Sequence, residues 1–295
     1  MTESTKSQFA LLLTVILWAS AFVGIRYAMR SCSAGSLGLM RYAIASATIV
    51  FPFARLKKIN VPTLKEIPGF FLLGLFGFAI YNVALNYGER TVTAGVANFV
   101  IAQAPILTVI FAIFIFKDKL RRWAWLGFLL SLLGALLILL GEAQHELGWG
   151  IAFIYLATVV TAIYAIQQKV YTKKYRPLEI TAYAIWGGTI AMLIYLPDAI
   201  HDLRHINWQT FLTIIYLGVF PGVIGYLCWC YGFKYNPAAK AASYLYSIPI
   251  FTLFFAWLFL SEIPHIISVT GGFVSLLGAI VIGRFGTVKK DSASS

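Results

Sequence analysis

The chain has 295 residues, 60% of them hydrophobic and 12% charged, with mean hydropathy +0.82. Soluble domains are about 45–50% apolar and about 25% charged, so too little polar surface exists to cover this chain in water, and a lipid bilayer is the second solvent it requires. A net charge of +12 does not point to nucleic acid, because the basic residues sit in short connections between apolar runs instead of clustering on one soluble face.

Apolar runs long enough to cross ~30 Å of hydrocarbon lie at 9–29, 34–54, 68–88, 93–116, 123–141, 148–168, 179–197, 208–232, 237–260 and 265–285. Backbone groups in lipid must bond within their own segment, so these runs are expected as helices; the short alternating segments of a spanning barrel are missing. In the first run, Ala19-Ser20-Ala21 resembles a signal-peptide cleavage site, but the apolar stretch continues to about Ile25. It therefore reads as a span.

The connections set the orientation. With ten spans, one side of the membrane holds Lys6; Arg55, Lys57, Lys58, Lys65; Lys117, Lys119, Arg121, Arg122; Lys169, Lys173, Lys174, Arg176; Lys234, Lys240; and Arg284, Lys289, Lys290. The other side holds Arg26, Arg30, Arg90 and Arg204, and Arg41 falls inside the second run. Eighteen basic residues against four place both termini in the cytoplasm of a multi-pass plasma-membrane protein, the inner membrane in a bacterium.

A shift of 144 residues aligns the two halves without a gap from Phe71 to Gly141, with about 20 of 71 positions identical. Tyr87-Gly88 falls on Tyr231-Gly232, Pro105-Ile106 on Pro249-Ile250, and Ser131 through Ala135 on Ser275 through Ala279. Five spans per half is an odd number, so the second copy enters the membrane inverted. Connection 4/5 carries Lys117, Lys119, Arg121 and Arg122, whereas its counterpart from Ser261 to Ile266 carries no Lys or Arg. The expected fold is therefore all-α and integral to the membrane, with ten transmembrane helices in two inverted five-helix repeats, 9–141 and 148–285, around a central cavity. Inverted repeats are a mark of transporters, because related halves can exchange inward-open and outward-open states.

The chain resembles the drug/metabolite transporter superfamily, in its ten-helix EamA branch. The residues that carry the resemblance are Trp18 to Phe22, Arg41-Tyr42, Tyr87-Gly88 through Thr93-Ala94-Gly95, Pro105, Asp118, Pro249, Ser261-Glu262 and Gly271 to Gly278. It covers roughly 9–285 and implies a basket of ten helices exporting amino acids, metabolites or amphipathic compounds. Small multidrug relatives in the superfamily carry a membrane-embedded Glu in the first helix for proton-coupled cation export. Here the first run, 9–29, contains no carboxylate, and Glu89, Asp118 and Glu262 stand at helix ends, where none reads as a midplane proton carrier. This departure favours a zwitterionic or uncharged substrate, or uptake and export without that coupling.

Among candidate site residues Arg41 stands out, since a cation near mid-helix costs ~2.5–3.5 kcal/mol on insertion scales and faces protein or water. It reads either as an anchor for an anionic group or as a structural Arg that snorkels or bonds helix carbonyls. Trp18 and Ser20 in helix 1, Tyr81 and Asn82 in helix 3, and Asn98 and Gln103 in helix 4 are candidates for a polar, aromatic-lined cavity. Tyr164 and Gln168 in helix 6, Tyr226 and Trp229 in helix 8, and Tyr246 in helix 9 join them. Each serves as substrate contact or as interhelical glue. The repeat sets Asn82 opposite Tyr226. Pro105 and Pro249 interrupt helices 4 and 9 at matched positions and read as gating bends or as static kinks. Small residues at every fourth position, Gly127, Ser131, Ala135 and Gly271, Ser275, Ala279, form a close-packing stripe on helices 5 and 10, expected to face inward.

The four histidines sit in connections with no HExxH spacing, and Cys228 and Cys230 lie in an apolar run without a nearby His. Neither a metal site nor a cofactor is expected. The expected partners are the lipid bilayer and a small solute, with no nucleic acid; a monomer is compatible with the sequence. Transport by alternating access leads, with export of an amino acid or related metabolite first. Flipping a lipid-linked headgroup or exporting an amphipathic drug are alternatives, and a membrane enzyme or a non-transporting scaffold are alternatives of a different class.

Overall fold

A computed structural model describes residues 3–104, 106–108, 110–111, 122–142, 149–172, 174–235, 244–245 and 247–285. All regular structure in these residues is helical: α1 (Glu3–Ala28), α2 (Ala34–Ala54), α3 (Ile67–Gly88), α4 (Ala94–Ile101), α5 (Arg122–Glu142), α6 (Trp149–Tyr171), α7 (Pro177–His205), α8 (208–235), α9 (Ile248–Leu260) and α10 (Ile266–Phe285). Among the described residues, six helices are long and apolar enough to cross a membrane, namely α1, α2, α3, α6, α7 and α8.

Most boundaries match the apolar runs, and α7 extends well beyond its own. Its run ends at residue 197 because Asp198, His201, Asp202 and Arg204 follow. The helix nevertheless continues through a 3₁₀ turn, Met192–Tyr195, into Leu196–His205. Ala199, which is buried, keeps one apolar face against the bundle through the charged stretch. Connections supply their own caps: the Asn207 side chain accepts from Thr210 N at 2.8 Å to start α8, satisfying an otherwise orphaned amide.

The helices pack across the repeats. α1 lies against α8 and α9, and α6 against their repeat partners α3 and α4; α2 packs on α7 and α8, and α7 on α3. Each of these contacts joins one half to the other, so the centre of the bundle is the interface between repeats. α5 and α10 form a closely packed pair of their own. There, the Ser131 hydroxyl donates to Ser275 O at 3.2 Å, across 144 residues of sequence. A Cβ added at Gly134 would stand 2.4 Å from Ser275 N and 2.6 Å from Gly271 O. One added at Gly278 would stand 2.2 Å from the Ser131 hydroxyl and 2.5 Å from Gly127 O. The small-residue stripe thus faces inward, while Leu129, Leu132, Leu136 and Leu277 on the same helices are exposed, as lipid contact requires.

An ion pair ties the halves at each end. Lys174 Nζ meets Glu66 Oε1 at 2.7 Å between the α6/α7 and α2/α3 connections. The Lys174 hydrogen bond, with others from Thr63 and Tyr175, holds the Glu66 carboxyl down to about 2. At the opposite end Arg26 Nε meets Glu262 Oε1 at 2.8 Å.

Candidate substrate site

Inside the bundle, α3 and α8 lose their α-helical register at matched places. Leu75–Ile80 of α3 and Phe220–Ile224 of α8 are π-turns, and the 144-residue shift carries 75–80 onto 219–224. Such turns leave carbonyls without their usual partners and recur at functional sites. In α8 the cause is Pro221, which lacks an N–H and frees the carbonyl four residues back, Leu217 O.

An aromatic side chain from the partner helix lies on each turn. At Gly77 in α3 a Cβ would stand 2.2 Å from the ring of Tyr164 in α6, and at Gly225 in α8 one would stand 2.8 Å from the indole nitrogen of Trp18 in α1. Trp18 Nε1 also donates to Pro221 O at 3.3 Å.

Arg41 joins α8 and α3 beside the two turns. It is 6% exposed; its Nε donates to Leu217 O at 3.3 Å, the carbonyl that Pro221 frees, and its Nη1 donates to Asn82 Oδ1 at 3.1 Å. Asn82 in turn donates through Nδ2 to Phe78 O, within the α3 turn, at 2.7 Å. The guanidinium sits 5.2 Å from the centroid of the Tyr42 ring. A guanidinium has five N–H donors, and these two bonds are its only hydrogen bonds among the described residues.

Aromatic rings complete the constellation. Trp18 meets Tyr226 edge-on at 5.2 Å and Trp229 at 5.8 Å. Phe78 links Tyr226, Tyr164 and Tyr42 at 5.8, 5.8 and 5.2 Å. Six sequence candidates therefore come together: Trp18, Arg41, Asn82, Tyr164, Tyr226 and Trp229. Tyr81 lies within electrostatic reach of Arg41 and Tyr42, and Gln168 donates to the Tyr164 hydroxyl at 3.2 Å. Tyr42, Phe78 and Pro221 are members that were not expected.

Ser20 lies apart from the cluster, its hydroxyl 2.6 Å from that of Tyr216. Asn98 and Gln103 belong to a second feature, a break in α4. Gln103 N donates to Val100 O at 3.1 Å and Ile106 N to Gln103 O at 2.9 Å; 144 residues on, Ser247 N donates to Tyr244 O at 3.0 Å and Ile250 N to Ser247 O at 3.1 Å. Both repeats thus interrupt the same helix with the same pair of tight turns. Pro249 stands in the first turn of α9, after the break, where its missing N–H costs nothing. Asn98 Oδ1 is buried beside the first break without a hydrogen-bond partner among the described residues. Broken helices in matched positions commonly frame transporter binding sites. Pro105 and Tyr246 lie outside the described residues.

The EamA-like transporter family matches the chain twice, over residues 5–140 and 148–284. The chain is 39% identical over 267 residues to an uncharacterized transporter, YdfC, of Bacillus subtilis, covering 90% of this chain and 87% of that one. It is 30% identical over 292 residues to a probable terminal-alkyne amino-acid exporter of Streptantibioticus cattleyicolor, covering 99% and 98%. It is 26% identical over 243 residues to a probable amino-acid metabolite efflux pump of Salmonella typhimurium, covering 77% of each. A solved crystal structure shares the fold at a TM-score of 0.65 and 15% identity, over 94% of this chain and 96% of that one. With two family matches that coincide with the two cross-packed halves, the chain belongs to the EamA-like transporter family.

Proposed function

We propose that this transporter exports amino acids or related metabolites by alternating access, with both termini in the cytoplasm. The observation that carries the reading is Arg41, a buried guanidinium between the two repeats that has donors to spare beside an aromatic cluster. A planar guanidinium binds a carboxylate bidentately, and the faces of Trp18 and Tyr226 suit an ammonium group or an apolar side chain. Two relatives whose names specify amino-acid or amino-acid metabolite export support the same substrate class.

Proteoliposomes loaded with unlabelled amino acid are expected to take up labelled amino acid by saturable counterflow. Trp18→Ala is expected to raise the half-saturation concentration about three- to tenfold, the scale of one lost cation–π contact. Flux that stays linear with concentration identifies a channel, and absence of flux with every amino acid tried rejects the substrate class. A second reading, an amphipathic solute entering sideways from the bilayer, draws on an apolar cavity of about 300 Å³ between α3, α6 and α7, lined by Val83, Tyr87, Phe153 and Met192 among others.

A further inference from the structure

Two carboxylates are fully buried among the described residues, Glu89 and Glu179. Glu179 is satisfied: Oε1 accepts from Asn60 N at 2.8 Å, while Oε2 accepts from Arg176 N at 2.7 Å and Asn60 Nδ2 at 3.1 Å. Glu89 is not, for neither of its carboxyl oxygens has a hydrogen-bond partner among the described residues. It follows Gly88 at the end of α3 and lines a cavity of about 340 Å³ with Arg26, Met29, Arg30, Arg90 and Glu262.

The charged groups around Glu89 come from five places. α1 brings Arg26, the α1/α2 connection brings Arg30, α2 brings Arg41, the α3/α4 connection brings Arg90, and the α9/α10 connection brings Glu262. α6 presents Gly150 and Ile154 to the end of α3, which adds no charge. α4 presents the Ala94 N–H, already given to Glu262 Oε2 at 3.3 Å. Arg26 is the shared element: its Nε is on the Glu262 carboxylate, and its Nη1 donates to the backbone carbonyl of Glu89. One guanidinium thus stands between two carboxyl groups and serves one of them.

Glu262 is held there by backbone geometry. Ser261 takes the left-handed conformation at φ 55°, as helix ends commonly do, and Glu262 N returns to Ala256 O of α9 at 3.2 Å.

We infer that Glu89 is a proton-binding site that works a latch between the repeats at this mouth. While Glu89 is neutral, Arg26 stays on Glu262 and ties α1 to the α9/α10 connection and, through Ala94, to α4. When the Glu89 O–H bond breaks and the proton leaves through the cavity to water, the new carboxylate draws Arg26 to itself and frees Glu262. Arg26 and Glu89 belong to the first repeat and Glu262 to the second, so this exchange unties the halves.

Burial is the main reason Glu89 holds its proton, and it pushes the carboxyl well above its usual range; Arg26 and Arg41 pull it down, and Glu262 pushes it up. A group whose value is raised in the latched state favours that state fully below the ordinary carboxyl value and loses the preference as pH rises through the raised one. Acid therefore closes the latch and base opens it. Any coupling of this proton to solute movement rests on the export reading; the proton site itself does not.

The test needs no solute. In the purified full-length protein, infrared spectra are expected to show a neutral carboxylic-acid band at pH 7 that Glu89→Gln removes and Glu179→Gln leaves in place. Arg26→Gln is expected to move the disappearance of that band upward by about one pH unit or more, since it deletes a cation that favours the ionised form. No band at pH 7, a band that survives Glu89→Gln, or a midpoint unmoved by Arg26→Gln overturns the site, and the last holds even if Glu89→Gln fails to fold. For the latch, spin labels at Ser31→Cys and Ile263→Cys, with the native cysteines changed to serine, are expected to separate as pH rises, and not in the Glu89→Gln background. A distance indifferent to pH overturns the latch. Amino-acid counterflow that fails while the band behaves as expected rejects only the substrate class.

Discussion

Gly134→Val is expected to lower the melting temperature of the detergent-solubilised protein by about 5–10 °C, corresponding to roughly 3 kcal/mol. Membrane helices gain little from apolar burial against one another, since lipid is equally apolar; their association depends on close backbone approach. α5 and α10 approach through Gly134 and Gly278, and the atoms that would meet an added Cβ at Gly134 are backbone, Ser275 N at 2.4 Å and Gly271 O at 2.6 Å. No rotamer change relieves such a contact. The helices must separate, and the symmetric contact of Gly278 with Gly127 O and Ser131 is lost with it. Two controls on the same helix separate this cause from general fragility. Ser131→Ala removes the bond to Ser275 O, worth about 0.6 kcal/mol on average for such interhelical bonds. Leu132→Ala alters an exposed, lipid-facing position and is expected to change little. Melting of Gly134→Val at the wild-type temperature would show that the pair is not close-packed.

The helix count, the two repeats and the α5/α10 seam were legible because each rests on a local or periodic property: hydropathy over a span, identity at a constant offset, small residues every fourth position. The site was legible in part. Arg41, Asn82 and Tyr226 were readable as polar groups that lipid would not tolerate, and the repeat offset put Asn82 and Tyr226 in register. Ser20 was separable from Trp18 on sequence grounds, since residues two apart face different sides of a helix, and its partner is Tyr216. Pro221 stands in plain view between Gly218 and Gly222, yet its effect depends on Arg41 arriving from another helix to take up the freed carbonyl. The π-turn of α3 has no proline at all; Gly77 occupies the matched place and admits Tyr164, a tertiary event with no local signature. Glu89 was readable only as a carboxylate at a helix end for the same reason. Its burial is made by α1 and the α9/α10 connection, which are remote in sequence.

Arg41→Leu is expected to reduce amino-acid counterflow about 10- to 100-fold while leaving the melting temperature within a few degrees of wild type. The small stability change follows from two opposed terms. Deleting the cation strands Leu217 O and Asn82 Oδ1, at about 1–3 kcal/mol for each acceptor left buried, and it returns the ~2.5–3.5 kcal/mol that a mid-membrane Arg costs to insert. The loss of transport has no such offset. A charge-assisted bond to a substrate carboxylate is worth about 1.5–3 kcal/mol, which sets the expected fold-change. Arg41→Lys keeps the charge but not the planar fork that reaches Leu217 O, Asn82 Oδ1 and a bound anion together, so its counterflow is expected between the two. The opposite pattern, a fall in melting temperature with counterflow kinetics intact in both variants, assigns Arg41 to bracing the turns and removes it from the binding site. The pair of readouts separates the two roles because the bonds to Leu217 O and Asn82 Oδ1 join helices to one another, whereas on the export reading the other guanidinium donors would meet the substrate anion.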